Sequence, residues 1–291
     1  MKTRTIGDVT VSAIGLGGMP MSIEGRPDRT RSIATIHAAL EAGITFIDTA
    51  DAYSLAGKPE DEGHNEILIA EALKEWHGNT DDILIATKGG HTRAHAKDGG
   101  WDQDGSPAHL KEAAKASAKR LGVDAIGLYQ FHRPDPKVPY ADSIGALVEL
   151  LDEGVIRMAG ISNANVDQIK QANEILDDRL VSVQNQFSPK FLSSTPELEL
   201  CDEMSIAFLP WSPLGGITNA ADLGTNHAVF AEIANARRVS PQVLTLAWEL
   251  KKSSTVIPIP GASRPQSIMD SATAASIKLS DDEFARLDSA S

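Results

Sequence analysis

Four side chains with complementary acid–base chemistry stand at or just after the ends of short apolar runs: Asp48, Tyr53, Lys88 and His132. Tyrosine can donate a proton to a developing alkoxide, but its usual pKa of about 10 is poorly matched to neutral pH. A lysine ammonium beside the phenol lowers that pKa, and a carboxylate keeps the lysine charged in a buried site. The set predicts a proton-transfer site in which a neutral His132 orients a carbonyl oxygen or shares in proton delivery.

Apolar runs predict the strands that would bring these side chains together. Residues 44–47, 83–87 and 126–131 are rich in β-branched and aromatic residues, and they end directly before Asp48, Lys88 and His132. Parallel strands of a barrel present their carboxyl ends at one face. We therefore expect the acid, the amine and the imidazole to meet at that face.

Helix and strand signals alternate along the whole chain. An N-cap serine before proline, or a capping box, marks helix starts at residues 106–107, 165–168, 240–241 and 280–283. The last three of eight strand candidates are residues 181–184, 206–211 and 255–259. No Pro/Gly/Ser-rich linker divides the chain, so the sequence predicts one domain, residues 1–291, folded as a single (β/α)8 TIM barrel of the α/β class. A β-hairpin from residues 3–6 and 9–12 precedes the barrel.

Three motifs in this order resemble the aldo-keto reductases: Phe-Ile-Asp-Thr-Ala-Asp-Ala-Tyr at 46–53, Thr-Lys-Gly-Gly at 87–90 and Tyr-Gln-Phe-His-Arg-Pro-Asp at 129–135. The resemblance extends from about Thr3 to about Ala285 and is of the bacterial, NADPH-dependent type. It implies that Asp48, Tyr53, Lys88 and His132 form the family's catalytic tetrad. The implied reaction is hydride transfer from NAD(P)H to an aldehyde or ketone, with Tyr53 as the proton donor.

The same resemblance implies a nicotinamide nucleotide site in the second half of the chain. The Gly-Ile-Ser-Asn turn at 160–163 and Gln184 offer amide and hydroxyl groups suited to a carboxamide. An aromatic side chain is available to stack on the nicotinamide, and Arg264 near a helix start is suited to a 2′-phosphate. We expect NADPH, with NADH possible, because the adenine end departs from the family pattern. The implied cofactor residues are Gly18, Met19, Asp48, Ser162, Asn163, Gln184, Trp211, Ser212, Leu214, Gly215, Gly261, Ser263, Arg264, Ser267 and Ser271.

Two other stretches, the glycines at 15–18 and the irregular segment 89–105, resemble binding motifs only in part. The glycines at 15–18 suggest a dinucleotide fingerprint, but Pro20 stands where the pattern needs a third glycine, which argues against a Rossmann turn. The irregular segment 89–105 is expected to supply Trp101 to a substrate pocket shared with Tyr53 and His132. His91 and His95 have metal-ligand spacing for a helix, but the segment lacks helical periodicity, so no metal site is predicted.

Composition limits the partners. A net charge of −13 and a pI of about 5.0 argue against nucleic acid and anionic membranes as partners. The partner that the resemblance implies is a small-molecule carbonyl substrate. The single cysteine, Cys201, excludes an intrachain disulfide and is expected to be a buried packing residue. The first residues lack the apolar core of a signal peptide, so a cytoplasmic location is expected. Nothing in the sequence predicts the oligomeric state.

Two rival functions stay open at the level of sequence. One is an aldolase that forms a Schiff base on Lys88. The other is a regulatory protein that binds a nicotinamide nucleotide, like the β-subunits of potassium channels. The set Ser162, Asn163 and Gln184 argues against the aldolase, and no residue pattern favours the regulatory protein.

Overall fold

The chain begins with the predicted β-hairpin. The computed structural model describes residues 1–93, 100–216 and 227–291. Strands β1 (Thr3–Ile6) and β2 (Val9–Ser12) pair antiparallel, with Ile6 opposite Val9. Gly7 in the turn has a φ of 56°, a left-handed conformation that glycine adopts without steric cost.

A parallel sheet forms the centre of the molecule. The remaining strands are β3 (Leu16–Gly17), β4 (Phe46–Asp48), β5 (Leu84–Gly89), β6 (His91–Thr92), β7 (Asp102–Gln103), β8 (Ile126–Phe131), β9 (Ile156–Ser162), β10 (Leu180–Gln184) and β11 (Ala207–Phe208). Seven of them form one sheet in the order β3-β4-β5-β8-β9-β10-β11, and β6 and β7 pair antiparallel on their own. This order, with helical crossovers between neighbours, is that of the predicted (β/α)8 barrel.

The eighth strand position closes the barrel without regular strand geometry. The sequence predicts a strand at 255–259, whereas this segment only forms isolated bridges to its neighbours. On one side, the N–H of Ile257 donates to the carbonyl of Phe208. On the other side, the carbonyl of Pro260 accepts from the N–H of Gly17. Prolines at 258 and 260 have no N–H to donate to β3, so only half of that ladder forms.

Strand β11 is also shorter than predicted. The sequence predicts a strand at 206–211, but the regular strand ends at Phe208. The chain continues beside β10, because the N–H of Leu209 donates to Val183 and that of Trp211 donates to Asn185. Pro210 lies between these two donors and lacks an N–H, which interrupts the regular pairing.

Helices surround the sheet. They are α1 (Arg29–Glu41), α2 (His64–Glu75), α3 (Pro107–Leu121), α4 (Tyr140–Asp152), α5 (Val166–Ile175), α6 (Thr195–Glu203), α7 (Ala228–Arg237), α8 (Pro241–Lys252), α9 (Pro265–Thr273) and α10 (Asp281–Ser289), with short 3-10 turns at Met19–Met21, Pro59–Asp61 and Ala274–Ser276. All four predicted helix starts are confirmed, including capping boxes at Asn165 and Ser280. No helix in the described ranges is long and apolar enough to cross a bilayer.

The interior of the barrel is apolar at its amino-terminal end. Phe46, Ala86 and Leu128 point inward and pack in one cluster with Ile6 and Val11 of the hairpin. The hairpin therefore covers this end of the barrel. Two larger clusters fill the space between sheet and helices, and Cys201 lies fully buried in one of them, as the sequence predicts.

Candidate active site

Strand alternation places polar side chains inside the barrel at its carboxyl end. Successive side chains of a strand point to opposite faces, so a residue two positions after an inward apolar residue also points inward. Asp48 follows Phe46 in this way, and Lys88 follows Ala86. Gln130 follows Leu128 on β8 by the same rule. The three polar side chains are completely or almost completely buried.

Lys88 is the hub of the site. Its Nζ donates to Oδ1 of Asp48 at 2.6 Å, to the backbone carbonyl of Thr49 at 2.8 Å and to the phenol oxygen of Tyr53 at 3.1 Å. An ammonium has three donors, and each has a partner here. The predicted grouping of acid, amine and phenol is thus present, and the amine side chain has no exposed surface.

The electrostatics of the phenol differ from the sequence prediction. Burial raises the pKa of Tyr53 above its usual value, although Lys88 beside it acts in the opposite direction. The sequence argument considered only the ammonium and so predicted a lowered pKa. Burial alone would lower the pKa of Lys88, but Asp48 and Tyr53 outweigh this effect and raise it. The free site therefore holds a protonated phenol beside a protonated amine.

His132 is a neutral imidazole at the same site. Its ring centroid lies 5.7 Å from that of Tyr53, in an edge-on arrangement. Burial, and then the charges of Lys88, His91 and Arg133, lower the pKa of His132 well below its usual value. The neutral form that the sequence argument requires is thus the stable one at physiological pH.

The second oxygen of Asp48 has partners that the motif did not reveal. Oδ2 accepts from Nε2 of Gln184 at 2.8 Å and from Nε2 of Gln130 at 3.3 Å. These bonds hold the carboxylate so that its other oxygen faces Lys88. Gln130 was not among the predicted site residues, yet its inward position follows from the alternation of β8.

A cavity of about 370 Å³ opens beside these groups. Its wall includes the predicted catalytic and pocket residues Asp48, Tyr53, His132 and Trp101, whereas Lys88 lies behind them. The predicted cofactor residues that line it are Met19, Asp48, Ser162, Asn163, Gln184, Trp211, Ser212, Leu214 and Gly261. The others lie outside its wall: Gly18, Gly215, Ser263, Arg264, Ser267 and Ser271.

Known proteins are similar to this chain in sequence and in fold. The Aldo/keto reductase family model matches residues 13–291. The chain belongs to this family. An uncharacterized oxidoreductase of Schizosaccharomyces pombe is 36% identical over 290 residues, which cover 98% of this chain and 89% of the yeast protein. A probable aldo-keto reductase of Glycine max is 31% identical over 302 residues, covering 94% of this chain and 84% of that protein.

A solved structure of the same family has the same fold. The aldo/keto reductase from Klebsiella pneumoniae in complex with NADP and acetate has a TM-score of 0.82 and 25% identity to this chain. The match covers 99% of this chain and 94% of the Klebsiella chain. The fold of this aldo-keto reductase is therefore that of the family.

The polar groups of this aldo-keto reductase fit the nicotinamide end of a cofactor. Nδ2 of Asn163 donates to the backbone carbonyl of His132 and to Oγ of Ser162, and Nε2 of Gln184 donates to Asp48. The amide oxygens of Asn163 and Gln184 therefore face no donor among the described residues, and they suit the NH₂ of a carboxamide. The sequence argument expected each amide to donate and accept at once, whereas the donors are already used.

Backbone geometry and an aromatic side chain mark the same side of the cavity. Asn163 and Ser212 have φ values of 57° and 52°. Residues other than glycine rarely adopt this left-handed backbone conformation unless the surrounding structure fixes it. Nε1 of Trp211 is buried and has no partner among the described residues. A ligand that stacks here therefore meets an unused donor.

The glycines near the start of the barrel serve packing. A Cβ on Gly18 would lie 2.3 Å from Oδ1 of Asn65, and one on Gly17 would lie 2.8 Å from the carbonyl oxygen of Ile259. Nδ2 of Asn65 also donates to the Gly18 carbonyl. These contacts with protein neighbours explain the two glycines, and Gly17 also lines the cavity, so the predicted role of Gly18 at the cofactor stays a prediction.

The lining residues that were not predicted include three with basic side chains: His91, Arg93 and Arg133. The first follows the β5 end and belongs to β6, which pairs with β7 in a segment that the sequence presents as irregular. His95 lies outside the described residues, so the predicted absence of a metal site there is untested. The ring of His91 stacks on Trp101 at 4.8 Å and meets His132 edge-on at 4.7 Å. The basic character of all three residues was visible in the sequence, but their convergence was not.

Proposed function

We propose that this protein is an NADPH-dependent reductase that converts an aldehyde or ketone to an alcohol, with Tyr53 as the proton donor. The observation that carries the proposal is the position of Lys88 Nζ, which bonds both Asp48 and the Tyr53 phenol at the wall of a cavity. Such a set is suited to proton transfer at an oxygen that gains charge.

The residues divide the work of carbonyl reduction. Bound NADPH supplies the hydride. Tyr53 donates its phenol proton to the carbonyl oxygen, and the ammonium of Lys88, 3.1 Å from the phenol oxygen, stabilises the phenolate that is left. His132, a neutral ring beside the phenol, orients the carbonyl oxygen. General acid catalysis of this kind contributes a factor of about 10² to 10⁴ in rate.

The cofactor assignment rests on the cavity wall and on a relative. Ser162, Asn163, Gln184 and Trp211 are proposed to hold the nicotinamide, because the amide oxygens of Asn163 and Gln184 can accept from its carboxamide and Trp211 offers an aromatic surface and an unpaired Nε1–H. The Klebsiella pneumoniae structure contains NADP. Arg264 is exposed at the start of α9, where a guanidinium can reach a phosphate. We propose NADPH as the preferred cofactor on this basis.

The Schiff-base alternative receives no support from the site. Lys88 has no exposed surface, and its three donors are all bonded. Asp48 and Tyr53 raise its pKa against the effect of burial, so the amine is held as an ammonium, which is not a nucleophile. Among the described residues, no contact favours the regulatory-protein alternative over the enzyme.

The decisive experiment follows NADPH absorbance with a panel of small aldehydes and ketones. Wild type and Tyr53→Phe are run side by side, with NADH as the comparison cofactor. Tyr140→Phe is the matched control, because it removes another buried phenol oxygen that has no described partner and does not line the cavity. Binding of NADPH is measured separately by quenching of tryptophan fluorescence.

We expect turnover in wild type and in Tyr140→Phe, and a loss of at least about a hundredfold in Tyr53→Phe with NADPH binding retained. Wild-type rates in Tyr53→Phe would overturn the role of this phenol. No turnover of any carbonyl by wild type, together with tight NADPH binding, would support the regulatory protein instead.

A further inference from the structure

Two arginines give the cavity wall a positive charge. Arg93 and Arg133 both line the cavity, and Asp48 is the one carboxylate among its described lining residues. That carboxylate is already paired with Lys88 at 2.6 Å. The chain as a whole carries a net charge of −13. Glu24, which does not line the cavity, pairs with one nitrogen of Arg93, so among the described lining residues Arg133 is the cation without a counter-charge. Such a wall in an acidic protein is a local feature that attracts an anion.

The guanidinium of Arg93 is only partly used. The residue is 6% exposed, and Nη2 bonds Oε2 of Glu24. Nε and Nη1 are buried and have no partner in the described structure. These two atoms carry three of the five N–H donors of an arginine. Buried donors of this kind ordinarily have a partner, so a ligand is needed to satisfy them.

The ring of Trp101 lies close to both Arg93 and Tyr53, the proposed proton donor. Cζ of Arg93 lies 4.4 Å from the centroid of the Trp101 ring, and that ring lies 6.4 Å edge-on from the Tyr53 ring. The distance from Cζ of Arg93 to the centroid of the Tyr53 ring therefore cannot exceed the sum of these two distances. A short or aromatic molecule can span that distance, with a carbonyl at Tyr53 and an anion at Arg93.

Arg133 adds to the charge at the same wall. It follows His132 directly, is partly buried, and has no hydrogen-bond or ion-pair partner in the described ranges. Its charge contributes to the lowered pKa of His91, which burial lowers first, to about 4. His91 is therefore neutral at physiological pH and leaves the two arginines as the cations on this side of the cavity.

We propose that the substrate of this reductase carries a carboxylate, which Arg93 binds through its free donors and Arg133 attracts. The inference rests on the proposed function, since it assigns the substrate class of the same site. Nε and Nη1 are each suited to donate a charge-assisted hydrogen bond to a carboxylate oxygen, and such bonds are among the strong ones. Trp101 holds the guanidinium plane by a cation–π contact, and Glu24 holds the far side.

The test compares two aromatic aldehydes that differ in charge and hardly in shape: para-formylbenzoate and its methyl ester. The value of kcat/KM for each is measured with NADPH for wild type, Arg93→Met, Arg93→Lys and Arg133→Gln. Methionine keeps an apolar stem against Trp101 and removes the guanidinium with its charge, its donors and its pairing with exposed Glu24. Arg157→Met is the matched control, because Arg157 is exposed on β9 and does not line the cavity.

We expect wild type to prefer the acid. Arg93→Met should lower kcat/KM for the acid by about ten- to a hundredfold, the range for lost hydrogen bonds to a charged group, and leave the ester within about twofold. Arg93→Lys should recover part of the loss, and Arg133→Gln should weaken the acid alone by a smaller factor. Arg157→Met should behave as wild type for both compounds.

Three results would overturn the inference in different ways. Equal kcat/KM of acid and ester in wild type needs no variant and would reject the carboxylate. An equal loss for both compounds in Arg93→Met, with weaker NADPH binding, would assign Arg93 to the cofactor. Failure of wild type to reduce any carbonyl would reject the proposed function and the inference together.

Discussion

Neighbouring residues of β5 anchor two buried charge pairs on opposite faces of the sheet. Lys88 points into the barrel and pairs with Asp48. Thr87 points outward, and its hydroxyl donates to Oε1 of Glu66 on α2. The other oxygen of Glu66 accepts from Nε of Arg120 on α3 at 2.5 Å. The chemistry of the two pairs is similar, but their surroundings differ.

The difference lies in what else each pair contacts. The inner pair bonds the Tyr53 phenol, and Asp48 lines a cavity. The outer pair lies between β5 and two helices, and neither partner lines that cavity. Its Arg120 is 19% exposed in the side chain, whereas Glu66 has no exposed surface. Burial of charge is costly in both places, and only the inner pair lies beside the proposed proton donor at a cavity.

Lys88→Met should produce the largest effect. It removes the ammonium that stabilises the phenolate, so hydride transfer should slow by at least about a hundredfold. It also leaves the Asp48 carboxylate buried without a counter-charge, which destabilises by about 3–5 kcal/mol when nothing else bonds it. Gln184 and Gln130 still donate to Asp48, so the loss should lie at or below that range. Single-turnover absorbance and urea unfolding measure the two effects.

A nearly normal hydride-transfer rate in Lys88→Met would break the comparison, because the inner pair would then be as purely structural as the outer one. Lys88→Arg is the companion variant. It keeps the charge but changes its geometry, and it should unfold closer to wild type than Lys88→Met does.

Glu66→Gln should affect stability much more than activity. It removes a charged acceptor shared by Thr87 and Arg120, and loss of a hydrogen bond to a charged group costs about 1.5–3 kcal/mol. Arg120 is partly exposed and can turn to water, which favours the lower end. Hydride transfer should stay within about threefold of wild type, since neither Glu66 nor Arg120 makes a hydrogen bond to Lys88, Asp48 or Tyr53 in the described structure. Denaturant unfolding and single-turnover rates check both values.

A rate loss in Glu66→Gln as large as that in Lys88→Met, at unchanged stability, would show that the two faces of β5 are not separable. The double variant, Lys88→Met with Glu66→Gln, measures the coupling between the two charge pairs directly. Independent pairs should give free energies of unfolding that add within about 0.5 kcal/mol.

The phenols on the two faces should titrate differently. Burial raises the pKa of Tyr53, opposed by Lys88, whereas burial and then Asp51 and Glu66 raise the pKa of Tyr129 well above its usual value. Burial raises the pKa of Tyr140 as well. No tyrosinate absorbance should therefore develop in the native protein at pH values where unfolded tyrosines ionise, and Tyr53 should ionise before Tyr129.

The same shifts fix a direction for stability. An acid whose pKa is raised by folding keeps its proton in the folded state while the unfolded chain loses it. The unfolded state then binds fewer protons, so the free energy of unfolding should fall as pH rises through and above about 10. Urea unfolding across this range tests the sign, and stability that rises there would contradict the raised pKa values.

The site could be read from the sequence as far as local patterns extend. Strand alternation after Phe46 and Ala86 places Asp48 and Lys88 inside the barrel, and the prolines at 258 and 260 already warn that the last strand is irregular. The barrel, its hairpin and its helix starts followed from the same kind of pattern.

Features that depend on distance in space were not readable. The pKa of Tyr53 depends on the balance between burial and Lys88, which only coordinates reveal. The pairing of Thr87 with Glu66 joins a strand to a helix, and no periodicity encodes it. Arg93 directly follows β6, and the pairing of β6 with β7 places it at the cavity wall. Its position in a segment that the sequence presents as irregular could not predict this location.

Asp51 lies between the two pairs and allows the finest test of their separation. Its N–H donates to the Lys88 carbonyl at 3.3 Å, and its Oδ1 is buried without a described partner. Burial, and then the charge of Glu66, raise the pKa of Asp51 well above its usual value. The charge of Asp51, when present, acts in turn to raise the pKa of Tyr53.

Asp51→Asn should therefore have the smallest effect on catalysis, within about twofold in hydride transfer, because a neutral amide replaces a carboxyl whose raised pKa favours its neutral form. The effect on stability has a definite sign. A carboxyl with a raised folded-state pKa contributes stability below its unfolded pKa and loses it as pH rises through the folded pKa. The variant should gain on wild type as pH rises, measured by urea unfolding at several pH values. If the gain in the free energy of unfolding of the variant shrinks as pH rises, the Asp51 carboxylate is ionised in the folded protein. Asp51 would then couple the Lys88–Asp48 pair to the Glu66–Arg120 pair.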